Sequence, residues 1–187
     1  MTRLVSRSGV SKKSTIALGA AALVLAASAA QAAPSKTLKT FGTGDVTATA
    51  DSATIVNDAG EYGGVYLNSK SQSSKPLSQV VFEFRNANGD VAGGSPRFSI
   101  PIDTDGVGST DNGYAFLDVA GCGGVSGDNT LVSTQSGTCA VNFQGVDYPN
   151  WSTFASANPS YRIAPGFIPF IIADTAGNYA VDHIVLR

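Results

Sequence analysis

Residues Gln79–Arg85 read QVVFEFR, and these seven positions decide the fold. In an extended chain successive side chains point to opposite faces, so Val80, Phe82 and Phe84 share one face. Val81, Glu83 and Arg85 take the other. An apolar face backed by a mixed one is the signature of a half-buried strand. A turn follows directly, Asn86-Ala87-Asn88-Gly89-Asp90, where Asn and Gly accept the positive φ that tight turns need.

The same alternation recurs on both sides of this strand. Asp45–Ala50 (DVTATA), Gly64–Leu67 (GVYL), Arg97–Ile102 (RFSIPI) and Tyr114–Val119 (YAFLDV) each read as strands. So do Thr130–Ser133, Cys139–Phe143, Phe167–Ala173 and Tyr179–Leu186. Pro101 cannot donate to a ladder, which predicts a sheet edge or a strand end there. Gly-rich turns lie between, at Ala92-Gly93-Gly94-Ser95 and Gly121-Cys122-Gly123-Gly124. Many short strands at near-regular spacing define an all-β domain, a single β-sandwich of jelly-roll type. One short helix is expected at Asn150–Ala157, where Trp151, Phe154 and Ala155 share a face and Asn158-Pro159 ends the run.

The first 32 residues differ in kind. A basic stretch with Arg3, Arg7, Lys12 and Lys13 precedes an uncharged Ala-rich run, and Ala30-Gln31-Ala32 offers small residues for cleavage. This order is that of a secretory signal peptide over 1–32, of bacterial composition, so a secreted protein is expected. Residues 33–44 read as a flexible lead-in and 45–187 as the sandwich. Eight bases and all fourteen acids lie after residue 32, a net charge of −6. Such a chain has no basic cluster for nucleic acid and no further apolar span for a membrane. In an exported protein Cys122 and Cys139 are read as one disulfide.

Three groups of residues could carry a site. Asp103-Thr104-Asp105-Gly106-Val107-Gly108-Ser109-Thr110-Asp111 sets three carboxylates on a glycine-bent loop, the oxygen chemistry that calcium prefers. It resembles the calcium loops of EF-hand and dockerin-type repeats. Asp103, Asp105 and Asp111 match positions one, three and nine, and Gly108 the invariant glycine. Val107 and Tyr114 stand where two further ligands belong. The competing reading is a plain acidic turn, its Asp side chains bonding backbone N–H groups. The second group is aromatic. Tyr62, Tyr66, Tyr148, Trp151 and Tyr161 could stack on sugar rings, or Trp151 and Phe154 could instead fasten the helix. The third is carboxylic, Glu61 or Glu83 with Asp118, Asp147 or Asp174, the pairing that glycoside hydrolysis requires. His183 is the only histidine, which with two paired Cys leaves too few ligands for a zinc site of the usual kind, and no G-x-S-x-G nucleophile elbow is present to supply a triad's serine.

The last strand, Asn178-Tyr179-Ala180-Val181-Asp182-His183-Ile184-Val185-Leu186-Arg187, resembles the closing strand of jelly-roll carbohydrate-binding modules. Val181, Asp182, Ile184 and Leu186 carry the match over about ten residues. The resemblance implies a sandwich fold, a glycan ligand, and a structural calcium held in part by Asp182. Three functions follow as expectations. The first is a non-catalytic binding or surface module for a glycan or an extracellular protein. The second is a scaffold domain without a small-molecule site. The third is a carbohydrate-active hydrolase.

Overall fold

The computed structural model describes residues 36–68, 70–106 and 113–187. Its strands are β1 (Lys39–Gly42), β2 (Asp45–Ala48), β3 (Ala53–Asn57), β4 (Gly63–Tyr66), β5 (Phe82–Asn86), β6 (Arg97–Asp103) and β7 (Gly113–Asp118). They continue with β8 (Leu131–Ser133), β9 (Val141–Phe143), β10 (Val146–Tyr148), β11 (Arg162–Ile163), β12 (Phe170–Ala173) and β13 (Gly177–Leu186). One sheet has the order β1-β4-β12-β6-β7-β9-β10, with β11 also pairing β6; the other has the order β2-β3-β13-β5-β8. The paired strands run antiparallel throughout.

The two sheets form a sandwich, and the QVVFEFR strand makes the seam. Val80, Phe82 and Phe84 are all buried. The Phe98 ring of the larger sheet meets Phe84 and Phe82 of the smaller at centroid distances of 4.8 and 6.0 Å, edge-on. Edge-to-face pairs of this kind add about 0.5–1.5 kcal/mol each beyond the area they bury. Ile100, Ile102, Leu117, Val132, Val141 and Ile171 complete the centre.

The final strand explains its own irregular pattern. β13 runs centrally between β3 and β5, and its register slips between Asp182 and Val185. Asp182 pairs with Arg85 and Val185 with Glu83, so three steps on β13 meet two on β5. His183 takes φ 52° at this bulge and is exposed. The extra residue inverts the alternation: Tyr179 and Val181 face inward before it, Ile184 and Leu186 after it.

Two expectations need correction. The lead-in does not extend to residue 44, because Lys39–Gly42 pair with β4 from Lys39↔Tyr66 to Gly42↔Gly63. Pro101 lies in β6, which has partners on both sides. The ladder accommodates it locally. The Pro101 carbonyl accepts from the Ala164 N–H at 3.0 Å, so its missing donor faces the same side. On that side β12 stops at Ser99 and β11 starts at Ile102, so Pro101 falls at the junction of the two strands and forgoes only the bond its own N–H would give to the Ala164 carbonyl.

The helix α1 (Trp151–Ala157) begins where Asn150 accepts from the Thr153 N–H at 2.9 Å, a side-chain cap. Trp151, Phe154 and Ala155 are its buried face. Cys122 and Cys139 form the disulfide, 17 positions apart. It ties the turn after β7 to the entry of β9, and Ala140 N–H bonds the Gly121 carbonyl alongside at 2.9 Å. Asn57 joins the sheets in another way: its side-chain amide donates to the carbonyls of Ala173 (2.9 Å) and Thr175 (3.3 Å).

Candidate functional site

The register of the larger sheet lines up one row of outward side chains across seven strands. Phe98, Ile100, Leu117, Val65 and Ile171 face the core, so their sequence neighbours face out. Lys39 opposes Tyr66, Tyr66 opposes Phe170, and Phe170 opposes Ser99. Ser99 opposes Phe116, Phe116 opposes Asn142, and Asn142 opposes Asp147. Tyr66, Phe170 and Phe116 are each half-buried, so the flank of each ring is held by neighbours while part stays open. Adjacent strands lie about 4.8 Å apart, so Tyr66 to Phe116 spans about 14 Å.

Flanking rings widen the platform. Phe41 packs on Tyr66 and Phe170 at 4.5 and 5.5 Å, and Tyr114 on Phe170 at 5.4 Å. Gly64 makes room for Phe41, since a Cβ there would strike the Ile171 carbonyl and the Phe41 ring. Burial raises the Tyr114 phenol above its ordinary pKa, and the nearby Tyr66 phenol adds to the effect. At one end the platform opens into a cleft of about 1050 Å³, whose lining includes Tyr66, Tyr114 and Phe170. Phe167 and Ile168, 39% and 52% exposed, stand on its rim.

At the other side of the platform Arg97 lies over the Phe116 ring at 5.3 Å. It donates two hydrogen bonds to Asp174, at 2.8 and 2.6 Å, and Ser95 Oγ donates a third at 3.0 Å. These donors, Arg97 first, hold the Asp174 carboxyl below its ordinary pKa. Asp147 accepts from the Asn142 amide at 2.7 Å, which orders the far end of the row.

The aromatic residues singled out in the sequence separate into two groups. Trp151 is only 2% exposed and its indole N–H donates to the Leu77 carbonyl at 2.8 Å. A ring so enclosed cannot stack on a sugar, which corrects its reading as a ligand residue. Tyr148 and Tyr161 pack with it around Phe154, at centroid distances of 5.1 and 6.3 Å from that ring. These three fasten α1 to the sandwich. A cleft of about 710 Å³ lies beside them, lined largely by small polar residues such as Ser136, Ser152 and Thr153. Tyr66 alone of the four named ligand candidates belongs to the platform, and Tyr62 is exposed outside it. Phe41, Tyr114, Phe116 and Phe170 were missed because their alignment depends on strand order.

The carboxylates do not form one centre. Asp103 is buried on the outer side of β6, and its Oδ1 accepts from the N–H groups of Asp105 (3.2 Å) and Gly106 (2.9 Å). That is the geometry of an Asx turn. Asp182 lies on the outer face of the other sheet, so it cannot share an ion with Asp103. Asp111 and Gly108 lie outside the described residues. Among the described residues no three His, Cys, Asp or Glu side chains converge on one point. Glu83 and Asp118 likewise face outward from opposite sheets, which rules them out as a hydrolytic pair. Glu83 accepts from Ser133 Oγ at 3.0 Å and lies 3.5 Å from Arg187; Asp118 accepts from the Gly121 N–H at 2.6 Å. The lowered Asp174 is the opposite of what a general acid needs.

Comparison with protein-family models, curated proteins and solved structures found no match to this chain. Among the described residues no helix is long and apolar enough to cross a membrane.

Proposed function

We propose that the protein is an exported, non-catalytic binding module that holds an extended glycan across the outer face of its larger sheet. The observation that carries this reading is the row Tyr66–Phe170–Ser99–Phe116 with its polar ends Lys39 and Asn142–Asp147. Aromatic rings stack on the apolar faces of sugars, and paired strands set the spacing of such rings along the row. The polar ends offer donors and acceptors to hydroxyl groups. The span of about 14 Å between the outer two rings suits a short run of sugar units and not a single one. Rings already supported by neighbours lose little freedom on binding, which favours affinity. Export is inferred from residues 1–32 and accords with the disulfide.

Affinity electrophoresis against a polysaccharide panel tests the proposal. Retardation by at least one polysaccharide, weakened about tenfold in Tyr66→Ala and in Phe116→Ala, is the expected result; tenfold corresponds to about 1.4 kcal/mol. Retardation unchanged in both variants would overturn it, and no retardation on any gel would favour the scaffold reading.

A further inference from the structure

The charges around the cleft deepen this reading and rest on it. After residue 32 the chain carries eight bases and fourteen acids. Lys36, Lys39 and Lys70 all line the cleft at the Tyr66 end of the platform, and among the described residues its lining contains no acid. All three are exposed, and neither ion pair among the described residues involves them. Lys39 Nζ stands 5.8 Å from the centre of the Tyr66 ring. Four of the other five bases are occupied: Arg97 by Asp174, Arg187 by Glu83, Lys75 by Gln72, and Arg162 by the carbonyls of Pro159 and Tyr161; the fifth, Arg85, lies on the smaller sheet opposite Asp182, away from the cleft. Three lysines beside a row of rings, in a segment of net −6 after residue 32, form a local positive field against a repelling background.

We propose that the ligand is an anionic glycan whose carboxylate or sulfate groups meet Lys36, Lys39 and Lys70 while its sugar rings lie on Tyr66 and Phe170. The aromatic platform supplies the stacking surface, and the lysines select charge. Lysine suits this task, because its compact ammonium meets an anion as a point charge without a fixed fork geometry.

The test uses matched pairs that differ in charge alone: polygalacturonate against its methyl ester, and dextran sulfate against dextran. Affinity electrophoresis is run on the wild type, Tyr66→Ala, and a Lys36→Gln/Lys39→Gln/Lys70→Gln variant whose circular dichroism confirms folding. The expected result is binding to the charged member of at least one pair, about tenfold weaker in the triple variant, as three exposed charge contacts are lost together. Binding should also weaken as sodium chloride is raised, and Tyr66→Ala should lose it as well. Equal binding to both members of each pair overturns the anionic preference and leaves the platform standing. Charged-glycan binding that survives Tyr66→Ala marks mere polyelectrolyte attraction and overturns the proposal. Binding to none of the four, in any variant, overturns the preference and counts against the platform itself.

Discussion

Trp151→Ala separates the two roles that a lone tryptophan could play. The ring is buried, packs edge-on against Phe154 at 5.3 Å, and donates to the Leu77 carbonyl. Removing a buried Trp costs about 3–5 kcal/mol in lost transfer energy and cavity. The Leu77 carbonyl loses its donor as well, adding about 1 kcal/mol where water does not replace it. The sum, about 4–6 kcal/mol, is a large share of the ~5–15 kcal/mol that folded domains possess. For a chain of this size it corresponds to a fall in Tm of about 8–24 °C. Trp151→Phe keeps a ring against Phe154 and loses only the hydrogen bond and part of the volume, so about 1–3 kcal/mol is expected. Urea unfolding followed by far-ultraviolet circular dichroism measures both, since Trp151 is the only tryptophan and its emission vanishes with it. In the wild type that emission should stay unchanged when a glycan binds. A Trp151→Ala protein within about 1 kcal/mol of wild type, yet unable to bind glycan, would refute the reasoning and return Trp151 to the ligand site.

Two further outcomes follow from the fold. Replacing Cys122 and Cys139 together by Ser should cost about 3 kcal/mol, the loop-closure entropy of a 17-position span, read as a lower urea midpoint that reductant reproduces in the wild type. The Asp174 carboxyl is held low by Arg97, so the stability it contributes is present above its unfolded pKa of 3.8 and is lost as pH falls through the lower folded value. Asp174→Asn should therefore be less stable than wild type at pH 7, and the gap between the two melting curves should narrow as pH falls below 3.8; a gap that does not change with acidification would contradict this.

The sandwich was legible because its signal is local. QVVFEFR states its inward face in seven residues, and Val80, Phe82 and Phe84 are buried as that alternation requires. The helix was legible for the same reason, with Asn150 and Asn158 at its ends. Strands β1 and β10 are hard to read because neither buries a side chain, and β11 because it has only two residues. β3 carries a full buried-exposed alternation in ATIVN but follows β2 across a turn without Gly or Pro, so it did not stand out. The platform could not be read at all. Phe116 and Phe170 are 54 positions apart and meet the same row only because β6 stands between β7 and β12. Tyr66 and Trp151 offer the same ring chemistry in the sequence, and a lone Trp is as readily buried as exposed, so only the fold separates them. In the acidic loop the described part is an Asx turn, Asp103 Oδ1 accepting from the N–H groups of Asp105 and Gly106, a contact between near neighbours that the spacing of the acids already suggests.

The central claim is that a glycan lies across the outer face of the larger sheet. Amide chemical-shift mapping with an oligogalacturonide and with its methyl ester tests it most directly. The account predicts shifts that follow the row Lys39, Tyr66, Phe170, Ser99, Phe116 and Asn142, with the lysine end more affected by the charged sugar. Shifts confined to the cleft beside Trp151, or to the outer face of the smaller sheet around Asp182, would contradict it.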